Sequence, residues 1–424
     1  MTEVPGTPSG WGLANLPFGV ASVPGQPGPR VVVAHGQHAV DLHAAASAGV
    51  VDTGVDPQVF AAPSLNRLLA EGRDSWRTVR STVADALGAR EPLPGDVLVP
   101  LEQLSMLRPV AVGDYVDGYG GIHHATNMGR LLRPGSEPLA PNWRRMPVAY
   151  HGRAGTVVVS GHPVRRPWGQ VGDGDGARLV PAARLDIELE VGFVVGTGNP
   201  LGCPVSVDRA ADHIFGVVLL NDWSARDVQA YESQPLGPFL GKSFATSISA
   251  WVVTVDALAP YLVHGLAAHQ QPAPAPYLRT EDPWVPDLRL EVLLQSRAMA
   301  ASGTPPAVIS RVRYAEAMYW SMAQQLAHAT VNGASTRPGD LFGSGTASGP
   351  DPRTQGGSLL EVTWGGEQPI ELPGGERRSF LEDGDTVVLR GRCEADGRGG
   401  RREAVALGDV VGTVVPASPG TPTR

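Results

Sequence analysis

Leu185-Asp186-Ile187-Glu188-Leu189-Glu190-Val191 alternates carboxylates with aliphatic residues, one by one. A two-residue period is that of a β-strand, so Asp186, Glu188 and Glu190 point to one face and Leu185, Ile187, Leu189 and Val191 to the other. The following Gly192-Phe193-Val194-Val195-Gly196 carries the strand on in apolar residues. Three like charges on one face repel, and burial would cost roughly several kcal/mol per uncompensated ion. Two readings are open on this stretch alone. Either the acids face water on a half-exposed strand, or they face a cation, for which an all-oxygen donor set favours a hard ion such as Ca²⁺ or Mg²⁺.

Around this stretch, 424 residues suffice for two domains with sizeable cores. With 53 Gly, 39 Pro and frequent Val, the composition predicts many short strands and turns, a mainly β (α+β) fold, over a helical bundle. The net charge of −8 and the lack of a basic stripe argue against a nucleic-acid partner. Cys203 and Cys393 are the only cysteines, too few for a disulfide framework or a zinc ribbon, and they suit a reducing cytoplasm. No basic segment followed by an apolar run opens the chain, so no signal peptide is expected. No stretch approaches the roughly 20 apolar residues of a membrane span. Lys242 is the only lysine; every other side-chain cation of this kind is arginine. A lysine retained against such a bias marks a place where a guanidinium does not fit, unless it survived by chance.

The first hundred residues hold no cluster of catalytic types. Asn15-Leu16-Pro17-Phe18-Gly19 reads as a docked extended segment, Arg30 to Ala34 as a strand, and Gly36-Gln37 as a polar turn. Helices are expected over 63–72 and 74–88, the second on the spacing of Trp76, Val79, Val83 and Leu87, with Asp74 as its cap. Val97 to Leu101 is apolar and proline-bounded. This part reads as a small domain that supports or covers another.

From Val112 to Asn127 acids, tyrosines, glycines and histidines crowd together. Asp117 offers a carboxylate for a metal, and His123 or His124 a base that titrates near neutrality. The alternative is a loop leading into a helix that begins near Ala125, with both histidines on its surface. No H-E-x-x-H or Cys/His pairing points to zinc. Thr156 to Ser160 predicts a strand. Residues 169–177 predict a flexible loop whose Gly172-Asp173-Gly174-Asp175-Gly176 lacks EF-hand spacing. His213 to Leu220 predicts a buried strand ending at Asp222, which is either a metal ligand or a cap for the segment from Ser224. Lys242 sits in a glycine-bounded turn that is not in P-loop register. Residues 267–290 are a Pro-rich excursion. Residues 313–332 predict one amphipathic helix with Tyr314, Met318, Met322 and Leu326 on a face and Gly333 as its stop. The Gly/Ser/Thr loop Leu341-Phe342-Gly343-Ser344-Gly345-Thr346-Ala347-Ser348-Gly349-Pro350 can present backbone N–H groups to an anion, or is simply a tight loop. Leu359 to Trp364 predicts a strand with the single acid Glu361. The last ten residues are expected to fray.

The order Gly-Asp-Tyr-Val-Asp (113–117), His-Ala-Thr-Asn (124–127), Pro-Asn-Trp (141–143), Tyr-His-Gly-Arg (150–153), Leu-Asp-Ile-Glu-Leu-Glu (185–190), Asn-Asp-Trp-Ser-Ala-Arg-Asp (221–227), Pro-Leu-Gly-Pro-Phe-Leu-Gly-Lys-Ser-Phe (235–244) and Arg-Pro-Gly-Asp-Leu (337–341) resembles the fumarylacetoacetase family. The resemblance runs from Asn15 nearly to the C-terminus. It implies a small N-terminal SH3-like barrel, here residues 1–109, a C-terminal catalytic β-roll, residues 110–424, and a homodimer. It also implies metal-dependent hydrolysis of a carbon–carbon bond in 4-fumarylacetoacetate, a diketo dicarboxylate, giving fumarate and acetoacetate at the end of tyrosine breakdown.

By motif, the resemblance makes Asp117, Glu188, Glu190 and Asp222 the ligands of a divalent cation (Ca²⁺ or Mg²⁺, with Mn²⁺ as an alternative), with Lys242 and Thr246 beside it. His124, directly before Ala-Thr-Asn, matches the base, and Glu361 its orienting acid. Arg226, Gln229 and Lys242 match the groups around the developing oxyanion. Tyr119, Arg133, Tyr150, Gln229, Gly345 and Thr346 match substrate contacts. Asp186 has no assigned place among the ligands, which leaves it as an acid that supports them or serves the structure. Two departures stand out: Gly120-Gly121-Ile122-His123 replaces the family's Ser-Ser-Arg-Gln, and Ser233 replaces a tyrosine. Both fall near the substrate's distal end. A related acylpyruvate or β-diketone, or an isomerase or decarboxylase of a dicarboxylic keto acid, is the alternative activity, and a structural cation in a non-enzyme the third. No Gly-x-Ser-x-Gly elbow supports a serine hydrolase.

Overall fold

The computed structural model describes residues 10–172, 176–394 and 403–420. Its largest sheet is built from β1 (Phe18–Ser22), β2 (Pro29–His35), β3 (His38–Asp41), β4 (Leu98–Pro100), β5 (Ser105–Met106), β6 (Tyr115–Gly118), β7 (Ala149–His151), β8 (Val157–Val159), β9 (Leu189–Val195), β10 (Ile214–Asp222), β11 (Thr246–Ile248), β12 (Trp251–Thr254) and β13 (Leu341–Gly343). Along its main path the order is β4-β3-β2-β1-β12-β10-β9-β13-β6-β7. The N-terminal strands therefore continue into the rest of the sheet, through the pairs Phe18↔Val252 and Gly19↔Trp251. A second sheet places Ala307–Arg313, Arg289–Gln295, Thr386–Cys393, Val410–Val415 and Val164–Arg165 side by side.

The two-residue period decides which way β9 faces. Leu189, Val191, Phe193 and Val195 enter the main core, together with Val217 and Leu219 of β10 and Leu290, Val292 and Leu389 of the second sheet. Val194, Val218 and Leu220 face a second core, which they share with Leu16, Phe18, Trp76, Val79 and Leu341. With both faces covered, β10 is apolar almost throughout, as a buried strand must be. Glu190 and Asp222 lie on the second face, beyond the end of its apolar part.

Several local expectations change. The acidic stretch is not one strand: Leu185–Asp186 pairs with Ser224–Ala225, and β9 starts only at Leu189. All three acids are buried, so the solvated-face reading fails. Of 63–72 only Asn66–Ala70 is α-helical, and α1 (Arg73–Gly88) is capped by Gly72 at φ +86° and not by Asp74. That left-handed φ suits glycine. Next, α2 (Ile122–Leu132) begins three residues before Ala125 and takes His123 and His124 into its first turn. The first three residues of the predicted loop at 169–177 belong instead to a strand, Trp168–Val171, paired with Arg178–Pro181; Asp173 to Asp175 lie outside the described residues. Asp222 caps nothing, since α3 (Arg226–Glu232) starts after Ala225.

The single helix over 313–332 is two. Tyr314–Ala317 makes one turn, and α4 (Met322–Thr330) restarts with a Ser321/Gln324 capping box. A side chain that satisfies the first N–H groups makes a new helix start as good as a continued turn. Leu359 to Trp364 is also not a strand but carries α5 (Leu359–Val362), with the Ser358 hydroxyl accepting the Glu361 N–H. Ser358-x-x-Glu361 is a helix-start spacing, and it prevails over the local apolar run. Of the last ten residues, Val415 is still in a strand, and 421–424 lie outside the described residues.

Candidate active site

Three carboxylates from three strands meet where β6, β9 and β10 end side by side. Asp117, Glu190 and Asp222 each offer an oxygen within 4.8 Å of the others, and all three are buried. Backbone pairing makes the meeting: β10 lies beside β9, β9 beside β13, and β13 beside β6, with Gly343 opposite Asp117. Gly343 has to lack a side chain, because a Cβ there would stand 2.6 Å from Glu190 Oε2. Burial, then the neighbouring carboxylates, pushes the pKa values of Asp117 and Glu190 well above the ordinary range. Asp222 is also raised, by burial first, with Lys242 opposing. Glu190 Oε2 accepts the Gly345 N–H at 3.0 Å, whereas its Oε1 is buried with no partner. A buried, unpaired carboxylate oxygen beside two more acids is a donor set that could hold a cation.

Glu188 stands next to this group but is engaged by cations of the chain itself. Lys242 Nζ donates to Glu188 Oε2 at 2.6 Å and also to Asp222 Oδ2. Arg226 Nη1 lies 2.8 Å from Glu188 Oε1. Burial opposes ionisation of Glu188, but Lys242, Arg226 and His124 outweigh it and hold its pKa far below the usual range. Thr246 Oγ1 reaches Asp222 Oδ1 at 3.5 Å. Gln229 Oε1 accepts from Arg226 Nη1 at 3.2 Å, while Arg226 Nη2 is buried without a partner.

On the other side, α2 and α5 hold a histidine–carboxylate pair. His124 Nδ1 is 2.8 Å from Glu361 Oε2, and its Nε2 faces the acids, 3.8 Å from Glu188 Oε1. Asn127 Nδ2, one helical turn from His124, donates to Glu361 Oε1 at 2.9 Å. Ser348 and Ser358 donate to Oε2 at 2.8 and 3.0 Å. Burial opposes the charge on Glu361, yet His124 and these donors keep its pKa below the ordinary value. An imidazole with one nitrogen tied to a carboxylate and the other turned toward a charged cleft is arranged as a general base.

Residues 115–415 match the family model for the fumarylacetoacetate (FAA) hydrolase C-terminal region, and residues 14–109 the fumarylacetoacetase N-terminal model. Fumarylacetoacetase of Arabidopsis thaliana is 44% identical over 426 residues, 98% of each chain. Fumarylacetoacetase of Homo sapiens is 43% identical over 417 residues, 96% of each. The chain belongs to the fumarylacetoacetase family. The fumarylacetoacetate hydrolase of Exiguobacterium antarcticum shares the fold at TM-score 0.53, with 14% identity over 95% of this chain and 99% of that one.

Most of the residues that the fumarylacetoacetase motifs single out lie together here: Asp117, Glu188, Glu190, Asp222, Lys242, Thr246, Arg226, Gln229, His124 and Glu361 form one connected set. Tyr119 packs its ring edge-on against His124, centroids 5.7 Å apart. Tyr150 shares a hydrogen bond with Asp117, and burial raises its pKa. Gly345 and Thr346 are buried beside Glu190 and Gly121. Arg133 stands apart, exposed at the end of α2, with Nη2 donating to the Pro138 carbonyl at 2.8 Å. Asn127, Ser348 and Ser358 were not foreseen, although Asn127 follows His124 at helical i, i+3 spacing. Among the described residues no helix is long and apolar enough to cross a membrane.

Proposed function

We propose that this chain is a hydrolase of 4-fumarylacetoacetate, splitting its carbon–carbon bond to give fumarate and acetoacetate in tyrosine and phenylalanine catabolism. The nearly full-length likeness to fumarylacetoacetases supports the substrate. The observation that carries the mechanism is the His124–Glu361 pair at 2.8 Å, aimed at a cleft with three gathered carboxylates. Asp117, Glu190 and Asp222, with Glu188 adjoining, suit a hard divalent ion, Ca²⁺, Mg²⁺ or Mn²⁺. Such an ion would supply Lewis-acid polarisation of the diketone oxygens.

The chain's own residues do the rest. His124, held by Glu361, takes a proton from water, and the oxygen so activated attacks the carbonyl carbon of the fumaroyl group itself, which becomes the second carboxyl carbon of fumarate. The resulting oxyanion meets Arg226, whose Nη2 has no other partner, with Gln229 and Lys242 nearby. Collapse breaks the carbon–carbon bond, and the proton on His124 passes to the departing acetoacetate carbon. We assign Tyr119, which packs on His124, and Tyr150, which bonds to Asp117, to substrate contacts, and Arg133, exposed at the end of α2, to a terminal carboxylate of the substrate. A homodimer is the assembly that this family membership suggests, and the free thiols of Cys203 and Cys393 favour a reducing, cytoplasmic setting.

The test is loss of 4-fumarylacetoacetate absorbance with purified protein, with and without a chelator. Metal-dependent loss with fumarate and acetoacetate as products is expected. No loss in folded, metal-loaded protein would overturn the reading and move attention to another diketone, with Ser233 and Ile122 the first residues to vary. His124→Ala should bind metal normally and lose turnover by ~10²–10⁴-fold, whereas Glu190→Gln should weaken both.

A further inference from the structure

Asp186 is the third acid of the alternating stretch, and neither metal binding nor proton transfer uses it. It is fully buried. Its Oδ1 accepts the Leu359 N–H at 2.7 Å and the Ile187 N–H at 2.8 Å. Its Oδ2 accepts Arg226 Nε at 2.8 Å and the Leu360 N–H at 3.1 Å. A carboxylate has about four lone-pair positions, and here all are taken. Asp186 therefore has nothing left for a cation, unlike Glu190.

The donors belong to two parts of the site that are far apart in sequence. Leu359 and Leu360 open α5, which carries Glu361 and through it orients His124. Arg226 opens α3 and faces Glu188 and Gln229. One carboxylate thus fixes, at the same time, the helix that aims the base and the guanidinium placed for the oxyanion. We propose that Asp186 is a positioning residue that couples these two groups, so that base and oxyanion donor keep one mutual geometry. The break in the acidic strand at Ile187–Glu188 follows from this: Asp186 turns toward α5 while Glu190 turns toward Asp117 and Asp222. Reaction rates fall steeply when reacting groups move by as little as about 1 Å, so the coupling should appear in turnover more than in substrate affinity.

The inference rests on the hydrolase reading for its kinetic arm, and amide exchange gives an arm that does not need activity. Asp186→Asn sets an NH2 group against N–H donors whichever way the amide turns, so the two contacts on one side must break. Relative to wild type, its kcat on 4-fumarylacetoacetate should fall at least ~10²-fold, with KM and calorimetric Mg²⁺ affinity within ~3-fold. Amide exchange over 358–362 should speed up at least ~10-fold. Arg226→Lys keeps the charge but loses Nε. With Asp186 intact, it should also speed exchange over 358–362, at a distance from the substituted residue. That variant decides the matter if Asp186→Asn fails to fold. Unchanged exchange in Arg226→Lys would overturn the coupling, as would an Asp186→Asn enzyme with near wild-type kcat. A wild-type protein inactive on 4-fumarylacetoacetate would defeat the hydrolase reading instead, and the exchange arm would still judge the coupling.

Discussion

Residues in this site are best understood by what opposes their charge. Asp117 is driven toward its neutral form by burial and then by Asp222. Asp117→Asn removes one of the repelling charges, so the variant should bind Ca²⁺ or Mg²⁺ at least ~10²-fold more weakly yet melt no lower than wild type when both are held in chelator. A chelated variant that melts well below chelated wild type would show that Asp117 stabilises the fold on its own account. Glu361 is the opposite case, since its pKa is depressed. A depressed carboxylate contributes stability above its unfolded-state value, near 4.5, and the contribution is lost as pH falls through the lower folded-state value. Glu361→Gln should therefore cost about 1–3 kcal/mol at neutral pH and progressively less in acid, read from urea midpoints across the range. Its turnover should fall with that of His124→Ala.

Elements present these residues, and their ends matter most. The loop from Pro235 to Gly241 delivers Lys242 to the acids. The Glu232 carboxylate, at the end of α3, accepts the N–H groups of Phe239, Leu240 and Gly241 at 2.8, 2.9 and 2.7 Å. Glu232→Ala should loosen the loop and lower turnover by ~10-fold. Because these amides lie near water, which can take over their bonding, global stability should change by about 1 kcal/mol or less. Steady-state kinetics beside chemical denaturation would separate the two effects; a large fall in stability with unchanged kcat would reject the role. The helix ends also show where periodicity misleads. The apolar spacing of Tyr314, Met318, Met322 and Leu326 is real, and all four are buried. Spacing alone does not register that Ser321 and Gln324 close a new capping box between them. Similarly, Leu359-Leu360-Glu361-Val362 has no period that separates strand from helix. Contacts from Asp186 to the first two N–H groups accompany the helical choice.

At the scale of the whole molecule, the N-terminal part shares packing and sheet with the rest. Phe18, Trp76, Phe215, Val218 and Leu341 share one core although they come from distant parts of the chain. The Trp76 ring meets Phe215 edge-on at 5.2 Å, and its Nε1 donates to the Leu68 carbonyl at 2.9 Å. Gly196 leaves room for it: a Cβ there would approach the Trp76 ring to 2.0 Å. Trp76→Ala should cost about 3–5 kcal/mol and lower a single cooperative transition in calorimetry. Two separated transitions would show instead that the N-terminal part unfolds by itself.

What the sequence by itself determined was the chemistry and its local directions. Alternation told that Leu189 and Val191 point away from Glu190 into a core, because side chains of a strand must alternate and apolar ones gain by leaving water. Motif order brought out His124, Glu361, the acids and the sole lysine, and with them the family. Only the tertiary structure decided which acids share a cavity and which do something else. Glu188, Glu190 and Asp186 are equivalent in the alternation. They part company because Lys242 and one face of Arg226 reach the first, Asp117 and Asp222 crowd the second, and the amides of Leu359 and Leu360 with Arg226 Nε and the Ile187 N–H saturate the third. Apart from the adjacent Ile187, those partners lie between 32 residues away, for Glu190–Asp222, and 174, for Asp186–Leu360. Local spacing holds no record of them, since a carboxylate's charge and pairing are set by whatever the fold packs against it.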